Sequence, residues 1–523
     1  MTPSKVSRTI RLIQNARVAL FFYVINLGLQ FFSRKVFLDY IGAELLGLNT
    51  TAQNLLQFLN LAESGIGAAV AFALYKPLSV GDRQEINNIV SIQGWFYRWV
   101  ALFVIIGSLV LMAWFPYIFA KAQIPLIYAY GTFIAFLLSA LLSYFVNYKM
   151  IVLSADQKEY KIISETQSVK IIKVTTQILL ISNLSNGYLW WMVLEVLAAI
   201  LTSYRLNHCI KQEYPWLNPD VAKGKQIKEQ YSYILIKTRQ LFFHKIGAYV
   251  SWQATPLIIY FFTSLSTVAV YGNYVILFAG GFLFMDAIFK GLNAGVGSLV
   301  AEGNKSQIKK IFWQAVTMRL CIAGLLCCGV TTLSESFVEL WIGKQFVMSL
   351  LPLSVMAVIS FFQMTRSFDA FLSAYGLFQD TWAPLCESIL NIFLSILLGC
   401  FFGLTGILIG VLISQLLVVN SWKPYFLYLR GFREPILEYV IKYTQKLFLV
   451  FVSSVSTYYV FINYFSADSV NFFYWTIDAI QFVLFYVTIC GILFVIFDKD
   501  FRFMLNDCCK TLTFFHQKNK NSR

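Results

Sequence analysis

The chain has 523 residues, of which 58% are hydrophobic and 13% charged, and its formal net charge is +15. A soluble chain carries roughly a quarter charged residues, so this one cannot clothe a water-facing surface, and most side chains must face lipid or one another. Its nine cysteines include no CxxC pair and form no Cys/His cluster, which argues against a disulfide framework or a metal site.

Residues 1–15 are basic, and the first apolar run lacks a clear cleavage site, so it reads as a retained first span. A span needs about 20 mostly apolar residues. About fourteen candidates follow in order: 16–33, 47–74, 95–118, 124–145, 162–183, 187–204, 240–263, 267–290, 311–333, 350–373, 383–402, 404–421, 446–464 and 474–497. The runs 47–74, 162–183 and 267–290 are too polar to face lipid and are expected inside a bundle.

With the N-terminus inside, the inward segments hold nearly all loop Lys and Arg, among them Lys149, Lys158, Lys161, Lys223, Lys225, Lys309, Arg430 and Arg433. The outward loops show Arg34, Lys35, Lys121 and Lys344. That asymmetry is the positive-inside pattern. It predicts a multi-pass protein of the cytoplasmic (inner) membrane with both termini cytoplasmic, and it explains the basic balance without nucleic acid. The outward loops are too short to house a catalytic domain.

Two sets of six spans, each starting inside, flank a linker, so an internal repeat would be parallel. The expected division is 1–205 as an N-terminal six-helix lobe, 206–239 as a cytoplasmic linker and 240–430 as a C-terminal six-helix lobe. Two extra helices at 431–500 and a basic tail at 501–523 complete it. Gly65-Ile66-Gly67 in span two matches Gly295-Val296-Gly297 in span eight, and Leu153-Ser154-Ala155 matches Leu372-Ser373-Ala374.

Polar residues inside the spans mark the candidate site. Asn49, Gln53, Gln57, Asn60, Glu63 and Ser64 recur at steps of three and four, within one arc of a helix. Such a stripe either lines a wet cavity or hydrogen-bonds neighbouring helices. In span five, Gln167, Lys170, Lys173 and Gln177 share an arc, with Glu165 a turn earlier. Each Lys near the bilayer centre costs about 2.5–3.5 kcal/mol on insertion scales. Two on one face make sense if an anion visits the space before them; the alternative is snorkelling to the cytoplasmic surface. Arg319 is the cationic candidate of the second lobe, and Arg34 is either an exit-side anion contact or an interfacial anchor. Arg98, Glu195, Lys245, Asp286 and Glu387 are the other intramembrane charges; Arg98, Lys245 and Asp286 lie near span ends, and Glu387 lies close to Pro384, at an interface. Glu63 and Glu165 are the ion-coupling candidates.

The three histidines, His208, His244 and His516, form no catalytic constellation, and there is no P-loop or GxSxG motif. No enzyme activity, metal or cofactor is expected. Without a nucleotide site, transport would run on the membrane potential, on a coupling ion or downhill.

The stretch Tyr40–Asn49 (YIGAELLGLN) followed by Leu61–Gly67 (LAESGIG) resembles the second-helix signature of bacterial polysaccharide flippases, the O-antigen branch of the multidrug/oligosaccharidyl-lipid/polysaccharide exporter superfamily. Ala155-Asp156-Gln157-Lys158, Tyr214-Pro215-Trp216-Leu217, Val270–Tyr274 (VYGNY, with Asn273), Phe337–Gly343 (FVELWIG), Ala374–Phe378 (AYGLF) and Pro424-Tyr425 follow in order, covering residues 15–430. The resemblance implies an all-α integral membrane fold: two parallel-repeat six-helix lobes forming a central V-shaped cavity, plus two C-terminal helices that flank a lipid tail. It implies a flippase turning a lipid-linked (undecaprenyl-pyrophosphate) oligosaccharide from the cytoplasmic to the periplasmic leaflet by alternating access, for O-antigen, lipopolysaccharide or capsule synthesis. Membrane lipid, a coupling H+ or Na+ ion and glycan polymerase machinery are the partners consistent with that role. Relatives often carry an acid in the middle of span seven, where this chain has Gln253-Ala254-Thr255, which puts coupling through that acid in doubt. The competing readings are a cation-coupled exporter of small organic cations and a membrane-embedded glycan polymerase or ligase.

Overall fold

Long apolar runs in hydrocarbon must satisfy their backbone groups internally, and a helix does so within one segment. The computed structural model describes residues 8–63, 65–234, 236, 238, 253–377, 380, 382–464 and 471–503, with side chains left aside at 8–13, 16, 290–295, 297, 298 and 301. Ser64, His244, Lys245, His516 and the tail from 504 lie outside the described residues.

The main helices are α1 Arg8–Tyr40, α2 Ala43–Asn60, α3 Ile66–Val80, α4 Arg83–Ile118, α5 Leu126–Phe145, a short α6 Ile151–Ala155, α7 Glu159–Asn183, α8 Gly187–Glu213 and α9 Val221–Ile227. They continue with α10 Gln253–Phe262. Then come α11 Leu265–Glu302, α12 Lys305–Ile342, α13 Leu350–Met364, α14 Phe368–Ala374, α15 Trp382–Ser414, α16 Asn420–Phe426, α17 Leu437–Tyr464 and α18 Phe472–Phe497. Among the described residues nine helices are long and apolar enough to cross a membrane, or ten counting a bent pair. Each of the fourteen expected spans falls on helix, the seventh being described only from Gln253 onward. α1 and α7 have the length, at 33 and 25 residues, but are more polar than the rest. The chain is a multi-pass helical membrane protein.

Two expected spans are interrupted, the second and the tenth, the latter between Met364 and Phe368. Span two is broken: Ala43–Glu63 and Ile66–Val80 meet at 41°. Gly65 sits at φ 98° there, a left-handed conformation that favours glycine. In α11 the matching Gly295 and Gly297 lie inside continuous helix, so the two glycine motifs do different local work. Spans 383–402 and 404–421 are separated at Gly403 (φ 54°, ψ −134°), the boundary read from sequence.

The chain divides into two compact units, Met1–Ala269 and Val270–Arg523. In the first, α7 packs between α1 and α8, and α5 packs against α2, α4 and α8. In the second, α12 packs on α13, α17 and α18, and α13 packs on α15. The segment 253–269, expected to belong to the C-terminal lobe, groups with the first unit.

The linker is docked rather than loose. α9 lies on α4 so closely that a Cβ at Gly224 would stand 2.3 Å from the Ser91 carbonyl oxygen. The Asn218 amide donates to Asn87 at 2.8 Å and the Asp220 amide to Ser91 at 2.9 Å. Farther along, Tyr231 Oη donates to Glu85 at 2.6 Å. Burial, reinforced by the Glu85 carboxylate, pushes the Tyr231 phenol up to about 12. The upward shift keeps the contact fully in force below the phenol's ordinary value of about 10, and it fades as pH rises through the folded value. Tyr231→Phe removes a bond to a charged acceptor worth about 1.5–3 kcal/mol. Limited proteolysis of the linker is expected to quicken about tenfold or more in that variant.

Candidate functional site

The polar stripe of α2 divides into packed and open members. Asn49 is buried and accepts from Tyr188 Oη at 2.7 Å; Tyr188 also shares a hydrogen bond with Thr132 on α5. Asn60 accepts from Tyr144 Oη at 2.9 Å. These two asparagines join helices within the unit, the packing alternative weighed from sequence. Gln53 is exposed, and Gln57 and Glu63 are half-buried, Glu63 on the 3-10 turn just before the Gly65 break. The described stripe thus lies on α2 and the turn that continues it, and ends just before the break.

On α7 the charges meet a partner from α8. Lys173 Nζ lies 2.8 and 2.9 Å from the two oxygens of Glu195. Gln177 Nε2 donates to Glu195 Oε1 at 3.0 Å and to the Trp191 carbonyl at 3.3 Å. The expectation of two unmatched lysines on one face is thus corrected: Glu195 neutralises Lys173. Lys170 is exposed and makes no ion pair among the described residues. The group Lys170, Lys173 and Glu195 carries one net positive charge where the α7 arc alone suggested two. Gln167 Oε1 accepts from Asn26 of α1 at 3.0 Å, and Glu165 Oε2 accepts from Arg205 Nε at 2.6 Å. Arg34, near the end of α1, donates through Nη2 to the Ala269 carbonyl at 2.9 Å.

In the second unit Asn273 is fully buried on α11 beside Tyr274, whose hydroxyl accepts from the Met348 amide at 2.9 Å. Arg319 on α12 donates to the Met364 carbonyl at 3.1 Å, and its guanidinium lies 4.4 Å above the Phe289 ring. Asp286 and Asp369 are the acids in its field. Lys423 pairs with Asp369 at 2.8 Å, and Glu387 is half-buried in the field of Arg366 and Lys423. Arg366, Asp369 and Lys423 escaped the sequence reading. The signal was present: Arg366 and Asp369 are two charges inside the candidate span 350–373, where the helix breaks between Met364 and Phe368.

The same unit holds a cavity of about 540 Å³ between α12, α13 and α17, lined by Cys327, Cys328, Val358, Phe361, Val450 and Tyr458 among others. The wall is apolar. Sequence periodicity could not reveal it, because it arises where three helices fail to close on one another. Among the described residues no group of three or more His, Cys, Asp or Glu is placed to hold a metal ion.

Compared with solved structures, the chain superposes on the lipid II flippase MurJ in an inward closed conformation with TM-score 0.68 at 13% identity, over 92% of this chain and 99% of that one. An inward-facing multidrug resistance MATE family transporter of the MOP superfamily gives TM-score 0.61 at 11% identity, over 76% and 93% of the two chains. The fold is that of these transporters. No protein-family model matches the sequence, and no curated protein matches it. At such identities the likeness fixes architecture and leaves the cargo to be argued from residues.

The Lys173–Glu195 contact is open to a double-mutant cycle read by thermal unfolding in detergent. Each single change, Lys173→Gln or Glu195→Gln, leaves its partner half-buried and unmatched. The double variant is expected to be more stable than the summed losses predict, by about 0.5–3 kcal/mol.

Proposed function

We propose that this protein is a flippase that carries a lipid-linked oligosaccharide, on undecaprenyl pyrophosphate, from the cytoplasmic to the periplasmic leaflet of a bacterial inner membrane. It would do so by alternating access, in the synthesis of O-antigen, capsule or a related surface polysaccharide. The observation that carries this reading is the apolar groove on α12, α13 and α17. A small hydrophilic cargo has no use for an apolar recess of about 540 Å³, a volume within the range of ligand sites. A polyprenyl chain does. α17 and α18 are the two helices beyond the twelve of the expected repeat, and α17 forms one wall of the recess.

The headgroup half of the proposal rests on Lys170. In its present pairing the cluster with Lys173 and Glu195 has one positive charge in excess, and partial desolvation strengthens its attraction for a pyrophosphate. Arg319 and Arg34 supply further guanidinium groups, while Gln53, Gln57 and Gln167 offer amides suited to sugar hydroxyls. Proton or sodium coupling through Glu63 is part of the same proposal. Glu165 fits it less well, since Arg205 already holds its carboxylate.

A second reading, a cation-coupled exporter of small organic cations, is favoured by the carboxylates Asp286, Asp369 and Glu387 in the second unit. Against it, Arg319, Arg366 and Lys423 balance them in number. Accumulation of a fluorescent cation in cells with and without the protein separates the two readings.

Replacing Lys170 and Lys173 together by Gln is expected to abolish surface glycan while the protein still accumulates in the membrane; unchanged glycan sinks the headgroup assignment. Ser354→Trp places an indole in the apolar groove. Glycan export is expected to fall about tenfold or more, as when ~1.4 kcal/mol of binding is removed, with protein level unchanged. Normal export in that variant would remove the groove from the path.

A further inference from the structure

A second cavity, of about 460 Å³, lies in the first unit; of its lining only Glu165 was weighed for transport, and Arg205 already holds that carboxylate. It sits over the start of α7, flanked by α1 and α8, and unlike the groove of the second unit it is lined by charged and polar side chains. Glu165, Ser164 and Lys161 contribute from α7, and Arg205, His208 and Tyr204 from α8.

Several of these groups have bonding capacity to spare. Arg205 is held to Glu165 through Nε at 2.6 Å, which leaves both terminal guanidinium nitrogens without a protein partner among the described residues. Its side chain is 45% exposed. One oxygen of Glu165 is likewise uncommitted. His208 meets Gln212 through Nε2 at 2.9 Å and stacks on Tyr204 with the rings 6.3 Å apart, keeping Nδ1 available. The Ser164 hydroxyl has no partner among the described residues. Donors and one carboxylate oxygen thus converge on a single recess.

The recess is also electrically balanced. Arg205 is matched by Glu165, and Lys161 by Glu213. A ligand of one sign would leave a charge uncompensated in a partly desolvated site. A ligand carrying both signs would not. Away from the recess the surface turns apolar: Leu201 and Leu197 lie one and two turns before Arg205 on α8, and Phe21 one turn beyond Val18 on α1. All three are exposed. A polar recess at one end of an apolar, outward-facing seam matches an amphiphile with its head in the recess and its chains along the seam.

We propose that this recess binds the headgroup of a zwitterionic membrane phospholipid. Its phosphodiester sits on the Arg205 terminal nitrogens, Ser164 and His208, and its ammonium lies against the free oxygen of Glu165. The inference needs only that the protein spans a membrane and is independent of the cargo.

The test uses the full-length protein purified in detergent. Native mass spectrometry would follow equal additions of phosphatidylethanolamine and phosphatidylglycerol, with free phosphoethanolamine and inorganic phosphate as competitors. Phosphatidylethanolamine is expected to be retained in preference. Arg205→Gln should weaken it about tenfold, as for loss of a charge-assisted hydrogen bond. Ser164→Trp, which fills the recess without touching either ion pair, should abolish it. In the unaltered protein, a phospholipid with a photoreactive headgroup should label peptides around 160–165 and 204–212. Equal or better retention of phosphatidylglycerol, labelling elsewhere, or adducts surviving both substitutions would overturn the proposal. So would displacement by phosphoethanolamine at matching concentration, which would make the ligand a soluble phosphate ester.

Discussion

A charge withdrawn from water must be matched, hydrated or discharged, and this requirement organises the interior of the bundle. Lys446 shows it most fully. The residue is 1% exposed within α17, and its ammonium is hydrogen-bonded to Asp498 and lies 2.9 Å from Asp500 just beyond α18. Lys309 is held at 2.5 and 2.8 Å by Glu434 and Glu438, which ties the start of α12 to the start of α17. Lys173 has Glu195, and Lys423 has Asp369. Lys170, exposed and without an ion pair among the described residues, differs from these, and the headgroup half of the transport proposal rests on it.

The two cavities divide the chemistry by polarity. One is apolar and formed by helices of the second unit; the other is polar and belongs to the first. A membrane protein that handles an amphiphile needs surfaces of both kinds, but they need not serve the same molecule. In the two proposals the groove beside α17 takes a hydrocarbon chain of the cargo, and the balanced recess over α7 takes the head of a bound lipid.

Much of the architecture was legible in the sequence because the apolar period and span length are properties of a single segment. The fourteen runs, the separation at Gly403 and the richness of α2 and α7 in polar groups all follow from one-dimensional pattern. Pairing does not. An arc on α7 says that Lys170 and Lys173 point the same way, but it cannot say that Glu195 of α8 answers one of them. Likewise, Asn49 and Asn60 look identical as members of a stripe, and only the positions of Tyr188 and Tyr144 show that both are occupied in packing. The Gly65 break was hidden because a glycine motif signals conformational freedom without showing whether that freedom is used; in α11 the helix runs through Gly295 and Gly297 unbroken.

The ion cluster that joins Lys446 of α17 to the segment just after α18 also constrains how the protein is made. Asp498 and Asp500 follow Lys446 by 52 and 54 residues. At about 5–20 residues per second, the ribosome needs several seconds to supply the counter-charges after the lysine has been synthesised. During that interval α17 has no intrinsic neutraliser for its ammonium and gains by lingering at the translocon or the headgroup layer. α17 and α18 are thereby set up to enter the bilayer as a hairpin, the segment after the second delivering the acids that let the first settle.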